Sequence, residues 1–369
     1  MRPVIFGMQG HELTNEEREF FLRYKPAGFI LFRRNCKTPA QVKQLTTELQ
    51  KLANSYSGLE QVPILIDQEG GRVARLRAPE FKLEGRPLAD FGKLAKVKGI
   101  EAAIKATTIS HFLMGKQLKE LGINVNCAPV ADLYYPEAST VIGDRSFGSD
   151  PNLVITLCLA AMLGLEMAGV TPIIKHIPGH GLAKVDSHYE LPVVVEEKTT
   201  LAANDFRVFK ELAPYSRVAM TAHVVYEALD NRNAVTLSKP AIEYIREKIG
   251  FDGVILTDAL EMEALSGSLS ERARKSLLAG CDLALHCNGK LDEMEEVAAV
   301  LSKVKDIQKR KIASMLSQDI GHNPLLNTAP TLLQYANTAD SELERVLVTS
   351  MDNIETKFTN TNFSIGESV

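Results

Sequence analysis

TPIIKHIPGHG, residues 171–181, begins as an apolar run and ends on Lys175 and His176, just before a Pro-Gly turn. An apolar run with little alternation reads as a parallel strand covered on both faces. The pattern recurs along the chain. Eight candidate strands lie around Val4–Gly7, Gly28–Phe32, Pro63–Asp67, Val125–Val130, Pro172–Lys175, Val218–Thr221, Val254–Thr257 and Leu283–Leu285. Helical stretches separate them. Thr14–Glu17 and Ser268–Glu271 read as capping boxes at helix starts. Gly122, Gly169, Gly250 and Gly280 stand where helices should stop before the next strand.

Eight strand–helix units predict an α/β protein, a (β/α)8 TIM barrel with a single catalytic domain. A doubly wound sheet is the competing architecture. The strand ends favour the barrel. Asp67, Asp132, Lys175-His176, His223, Asp258 and His286 each follow or close an apolar run. In a barrel, polar groups at the C-terminal ends of the strands converge on one mouth, where active sites lie. We take residues 1–320 as the barrel. Residues 321–369, rich in Asn, Thr and Ser, form a tail or extension with a short helix expected over 339–351.

Composition narrows the function. The chain carries a net charge of −4 and no Lys/Arg run, which argues against nucleic acid as a partner. It has no apolar stretch of about 18 residues and no signal-like N-terminus, so neither membrane nor export is expected. Five cysteines without a CxxC fit reduced thiols in a cytoplasm.

The segment KHIPGHGLAKVDSHYELP, 175–192, holds three of the eight histidines. A zinc site on a helix would use His176 and His180, but Pro178-Gly179 between them breaks a helix, and no HExxH is present. A nucleophilic triad from Asp186-Ser187-His188 fails because neighbours in sequence rarely meet in triad geometry. Asp186 and His188 in an extended segment would point to one side, and the carboxylate would orient and charge the imidazole as a general acid/base. By itself, such a pair is equally a surface hydrogen bond.

The ordered blocks GFILFRRN (28–35), LIDQEGGRVARL (65–76), NCAPVADL (126–133), VIGDRSFG (141–148), KHIPGHG(x4)DSH (175–188), MTAHVVY (220–226) and VILTDALEM (254–262) resemble family 3 glycoside hydrolases. The nearer likeness is to the single-domain bacterial β-N-acetylhexosaminidases. The resemblance implies Asp258 as nucleophile, His188 as general acid/base and Asp186 as its orienting partner. It implies Asp67, Arg75, Arg145, Lys175 and His176 as the groups that bind N-acetylglucosamine. It also implies a role in recycling cell-wall fragments in the cytoplasm; we expect a monomer that needs no metal or organic cofactor. Ala259 stands where the family often has a second aspartate, and Ile177 where it often has phenylalanine. Arg145 read without the resemblance is a local salt bridge, and Arg72 and Arg75 lie on a solvated helix face. Glu69 and Glu261 read as turn or helix-start residues. The rival functions are a glycoside phosphorylase, a metal-dependent barrel hydrolase and a sugar-binding module that has lost activity.

Overall fold

A computed structural model describes residues 1–317 and 322–351 of the chain. Eleven strands are seen among them: β1 (Arg2–Gly7), β2 (Pro26–Leu31), β3 (Ile64–Ile66), β4 (Val125–Asn126), β5 (Thr171–Pro172), β6 (Ile174–Ile177), β7 (Val193–Val194), β8 (Val218–Thr221), β9 (Val225–Tyr226), β10 (Val254–Ala259) and β11 (Leu283–His286). Nine form one parallel sheet in the order β5-β4-β3-β2-β1-β11-β10-β8-β6. Its two edge strands, β5 and β6, are consecutive pieces of one stave, so the sheet closes on itself as the predicted eight-staved barrel. Pairing shifts at this stave. β5 pairs with β4, while β6 pairs with β8. The remaining strands, β7 and β9, make a small parallel pair outside the barrel.

Side chains alternate between the barrel interior and the helical shell, as a closed sheet demands. On β1, Ile5 packs with Ile30, Leu65, Val218 and Leu285, whereas Val4 and Phe6 pack with the surrounding helices. Ile312 and Met315 join the same inner cluster. Thr171 at the start of its stave donates its hydroxyl to the Met315 carbonyl at 2.7 Å. The segment around 304–316 therefore covers the N-terminal end of the barrel and leaves the opposite end for a site.

Both capping boxes are present, with Thr14 and Ser268 as the N-caps. Gly122, Gly169, Gly250 and Gly280 all take positive φ, the backbone state a helix stop requires. The expected late helix is found at Asp340–Met351. It packs against Ile100–Glu120, with Leu343 fully buried and Lys116 Nζ 2.5 Å from Asp340. The rest of the expected tail, 352–369, and the segment 318–321 lie outside the described residues.

Candidate active site

The stave ends assemble a charged mouth. Asp67 directly follows β3, and its carboxylate receives Lys175 Nζ at 3.0 Å on one oxygen and Arg75 Nη2 at 3.0 Å on the other. Lys175, from β6, also stands 2.6 Å from Glu69. Arg145 grips Glu69 with both ends of its fork, at 2.8 and 2.9 Å. Such bidentate charge-assisted pairs are the strong ones. Burial alone would raise the Asp67 carboxyl, but Lys175 and Arg75 outweigh it and hold the group well below the usual carboxylate range. Burial would likewise raise Glu69, but Arg145 and Lys175 bring it down to about 2. Both carboxylates stay ionised and all three cations stay charged.

Arg75 does not lie on a helix, because residues 68–86 contain none. Two glycines with positive φ, Gly70 and Gly71, turn the chain there. The buried Gln68 holds the loop from within. Its carbonyl accepts from the Arg75 and Leu76 amides, and its amide donates to the Leu76 and Glu84 carbonyls. The Arg75 guanidinium lies 4.8 Å from the centre of the Phe32 ring. Arg72 bonds Asp144 at 2.7 Å and the Thr140 and Val141 carbonyls, tying this loop to the one that carries Arg145. Neither arginine matches the solvated-helix reading. Arg145 is not in a local salt bridge either, since its partner is 76 residues away.

Across the mouth, Asp258 near the end of β10 accepts the Ala259 amide at 2.8 Å. Its other oxygen stands 4.0 Å from His176 Nε2. Burial would raise this carboxyl, but the facing His223 and His176, with the Ala259 amide, keep it below its ordinary value. His176 is aimed from behind. Its Nδ1 bonds the fully buried Asp132 at 2.7 Å, while the amides of His176 and His180 bond the second Asp132 oxygen. Asp132 is ionised, so Nδ1 carries the proton and donates it. His223 Nε2 lies 2.9 Å from the Ala259 carbonyl, which can only accept. That fixes the proton on Nε2 and leaves Nδ1 to accept from Thr236 at 2.7 Å. Burial depresses the His223 pKa, in keeping with this neutral tautomer.

Asp186 and His188 pair as expected, but not through an extended segment. They sit in a tight turn, in which Asp186 Oδ1 accepts both the His188 amide at 2.9 Å and His188 Nδ1 at 2.8 Å. The Tyr189 and Glu190 amides close the turn on the Asp186 carbonyl. The His188 side chain is 59% exposed and makes no hydrogen bond or ion pair with Asp258 among the described residues. The sixth stave-end group, His286, is buried beside Phe6, with Nδ1 3.3 Å from Glu261. Glu261 caps the Cys287 amide at 2.8 Å.

Sequence reading thus missed Gln68 and Glu69 as organisers of the mouth. Their signal was position, two polar residues directly after a strand-ending aspartate. All five cysteines are free. Among the described residues no group of three His, Cys, Asp or Glu side chains is arranged to hold a metal ion, and no helix is long and apolar enough to cross a membrane.

Comparison with known proteins identifies the family of the chain. Residues 5–318 match the glycosyl hydrolase family 3 N terminal domain. A β-hexosaminidase of Methylobacillus flagellatus is 34% identical over 330 residues, which span 87% of this chain and 90% of the relative. The crystal structure of native NagZ from Neisseria gonorrhoeae superposes with a TM-score of 0.82 at 30% identity, covering 95% of this chain and 98% of that one. The same gonococcal protein has been solved in complex with N-trifluoroacetyl-D-glucosamine, with a TM-score of 0.81, 30% identity and coverage of 95% and 97%. The family match covers most of the chain and the identity to a β-hexosaminidase extends over nearly its whole length, so the chain belongs to glycosyl hydrolase family 3, among its β-hexosaminidases.

Proposed function

We propose that the chain is a retaining, exo-acting β-N-acetylglucosaminidase. It removes terminal non-reducing N-acetylglucosamine from peptidoglycan fragments in the cytoplasm, as a monomer whose catalytic unit is the barrel of residues 1–320. The observation that carries the reading is Asp258, a carboxylate kept ionised at a rigid stave end and opposed by the Asp67–Arg75–Lys175 cluster. Asp67, Arg75, Arg145, Lys175 and His176 bind the sugar. Carboxylates accept from paired hydroxyls while the cations donate, which suits a neutral polyol. The gonococcal relative's complex with an N-acylglucosamine supports this substrate class.

In the first step an Asp258 oxygen bonds to the anomeric carbon as the bond to the leaving oxygen breaks, and His188 gives that oxygen its proton. Asp186 steadies the His188 imidazolium. In the second step the now neutral His188 takes a proton from water, the resulting oxygen attacks the anomeric carbon, and Asp258 leaves as carboxylate. Two inversions retain the configuration. His188 faces solvent in this conformation, so its loop must swing inward over bound substrate.

The test uses a fluorinated N-acetylglucosaminyl analogue that forms the glycosyl-enzyme but leaves it slowly, followed by digestion and mass spectrometry. Label on Asp258 is the expected result. No label, with an aryl N-acetylglucosaminide still hydrolysed, removes Asp258 as nucleophile.

A further inference from the structure

The loop that carries Asp186 and His188 has a fixed base and a lightly held tip. At the base, the His180 amide bonds Asp132 at 2.8 Å, and the Tyr226 hydroxyl bonds the Gly179 carbonyl at 2.9 Å. A Cβ on Gly181 would strike the Leu133 carbonyl, so the backbone lies directly against the neighbouring segment. The His180 ring is 3% exposed and packs edge-on to His176, with centroids 5.5 Å apart. It is therefore a rigid point beside the mouth.

From Lys184 to Glu190 the chain is mostly exposed, and Ser187 is the exception at 3%. Of its neighbours in sequence, His188 is exposed and Asp186 half-buried, while the Ser187 hydroxyl meets His180 Nε2 at 2.9 Å. Among the described residues this is the only hydrogen bond by which 184–190 reaches back to the loop base. Ser187 lies between the two members of the Asp186–His188 pair, so any rotation of the turn about Ser187 moves both.

We propose that the His180–Ser187 hydrogen bond is a latch that stays closed as the turn swings inward about Ser187, and so sets the position the Asp186–His188 pair takes over substrate. Ser187 and His180 are then positioning residues for proton transfer rather than parts of it. This rests on the reading of His188 as the general acid/base. His180 suits a latch because burial and the neighbouring His176 bring its pKa down to about 4. Across the neutral range the ring is uncharged, so it can hold a hydroxyl without adding a second imidazolium near His188.

The test compares Ser187→Ala, Ser187→Thr and His188→Ala on two aryl N-acetyl-β-glucosaminides. One has a poor leaving group, phenol, which needs protonation. The other has a good one, dinitrophenol, which does not. A neutral hydrogen bond is worth about 0.5–1.5 kcal/mol, so Ser187→Ala should lose about 2- to 13-fold in kcat/KM on the phenyl substrate and less than about 2-fold on the dinitrophenyl one. Ser187→Thr, which keeps the hydroxyl, should recover most of the loss. His188→Ala should show the same selectivity, but larger. Equal loss on both substrates from Ser187→Ala, or no loss on either, while His188→Ala discriminates, overturns the latch and leaves the role of His188 standing. No discrimination by His188→Ala overturns the proton-transfer reading, and the latch with it.

Discussion

Asp205 is a buried acid whose titration should be visible in the stability of the whole barrel. It begins the helix Asp205–Leu212 and is 1% exposed. Its Oδ2 accepts the Tyr135 hydroxyl at 2.8 Å, and its Oδ1 is buried without a hydrogen-bond partner. Burial raises its pKa to about 7, against the Tyr135 hydrogen bond, and the nearby Asp132 and Glu196 add to the rise. The ordinary value is 3.8, so folded and unfolded states differ by about three pH units. At about 1.4 kcal/mol per unit, the difference approaches 4 kcal/mol as an upper bound. The folded pKa is the higher one, so the folded state binds this proton more tightly. The stabilisation is complete below about pH 4 and is lost as pH rises through 7. Asp205→Asn stays neutral throughout and keeps an oxygen for Tyr135. The assay is urea unfolding of both proteins at pH 5, 6, 7 and 8, taking the difference between them so that other titrating groups cancel. The variant should gain on the wild type from pH 5 to about 7 and then level off, by about 1–3 kcal/mol at pH 8 relative to pH 5. A difference that stays flat from pH 5 to 8, or that grows in the opposite direction, refutes the reasoning.

Three further outcomes are expected. Glu69→Gln removes a charge that faces Arg145 and Lys175, and a broken buried pair costs about 3–5 kcal/mol; its thermal midpoint should fall and KM should rise, measured by calorimetry and steady-state kinetics. Asp132→Asn removes the negative charge from the acceptor behind His176, and a hydrogen bond to a charged group is worth about 1.5–3 kcal/mol, so kcat/KM should drop about 10- to 100-fold while the fold survives by circular dichroism. Leu343→Ala opens a cavity under the C-terminal helix at a cost of about 2–5 kcal/mol; limited proteolysis should cut residues 325–351 faster, with kcat/KM unchanged within about 2-fold.

The barrel was legible in the chain because its signals are local. Each stave is a short apolar run, and most helices before a strand stop at a glycine whose positive φ other residues rarely take. The strand-ending positions of Asp67, Lys175 and Asp258 also follow from sequence, since the C-terminal end of a barrel strand has only one mouth to face. What the sequence could not supply is who pairs with whom. Asp67 and Lys175 are 108 residues apart, and His176 and Asp132 are 44 apart. Those partners are chosen by the order of staves around the barrel and by two loops, held by Gln68 and by Arg72, that have no periodic pattern to read. The Asp186–His188 pair was visible as a spacing, yet the turn that makes it, and the inward Ser187, depend on a buried His180 that only the folded loop provides. Local propensity and apolar periodicity determined the architecture. Long-range burial of charge, which forces each ionised group to find a partner across the barrel, decided the site.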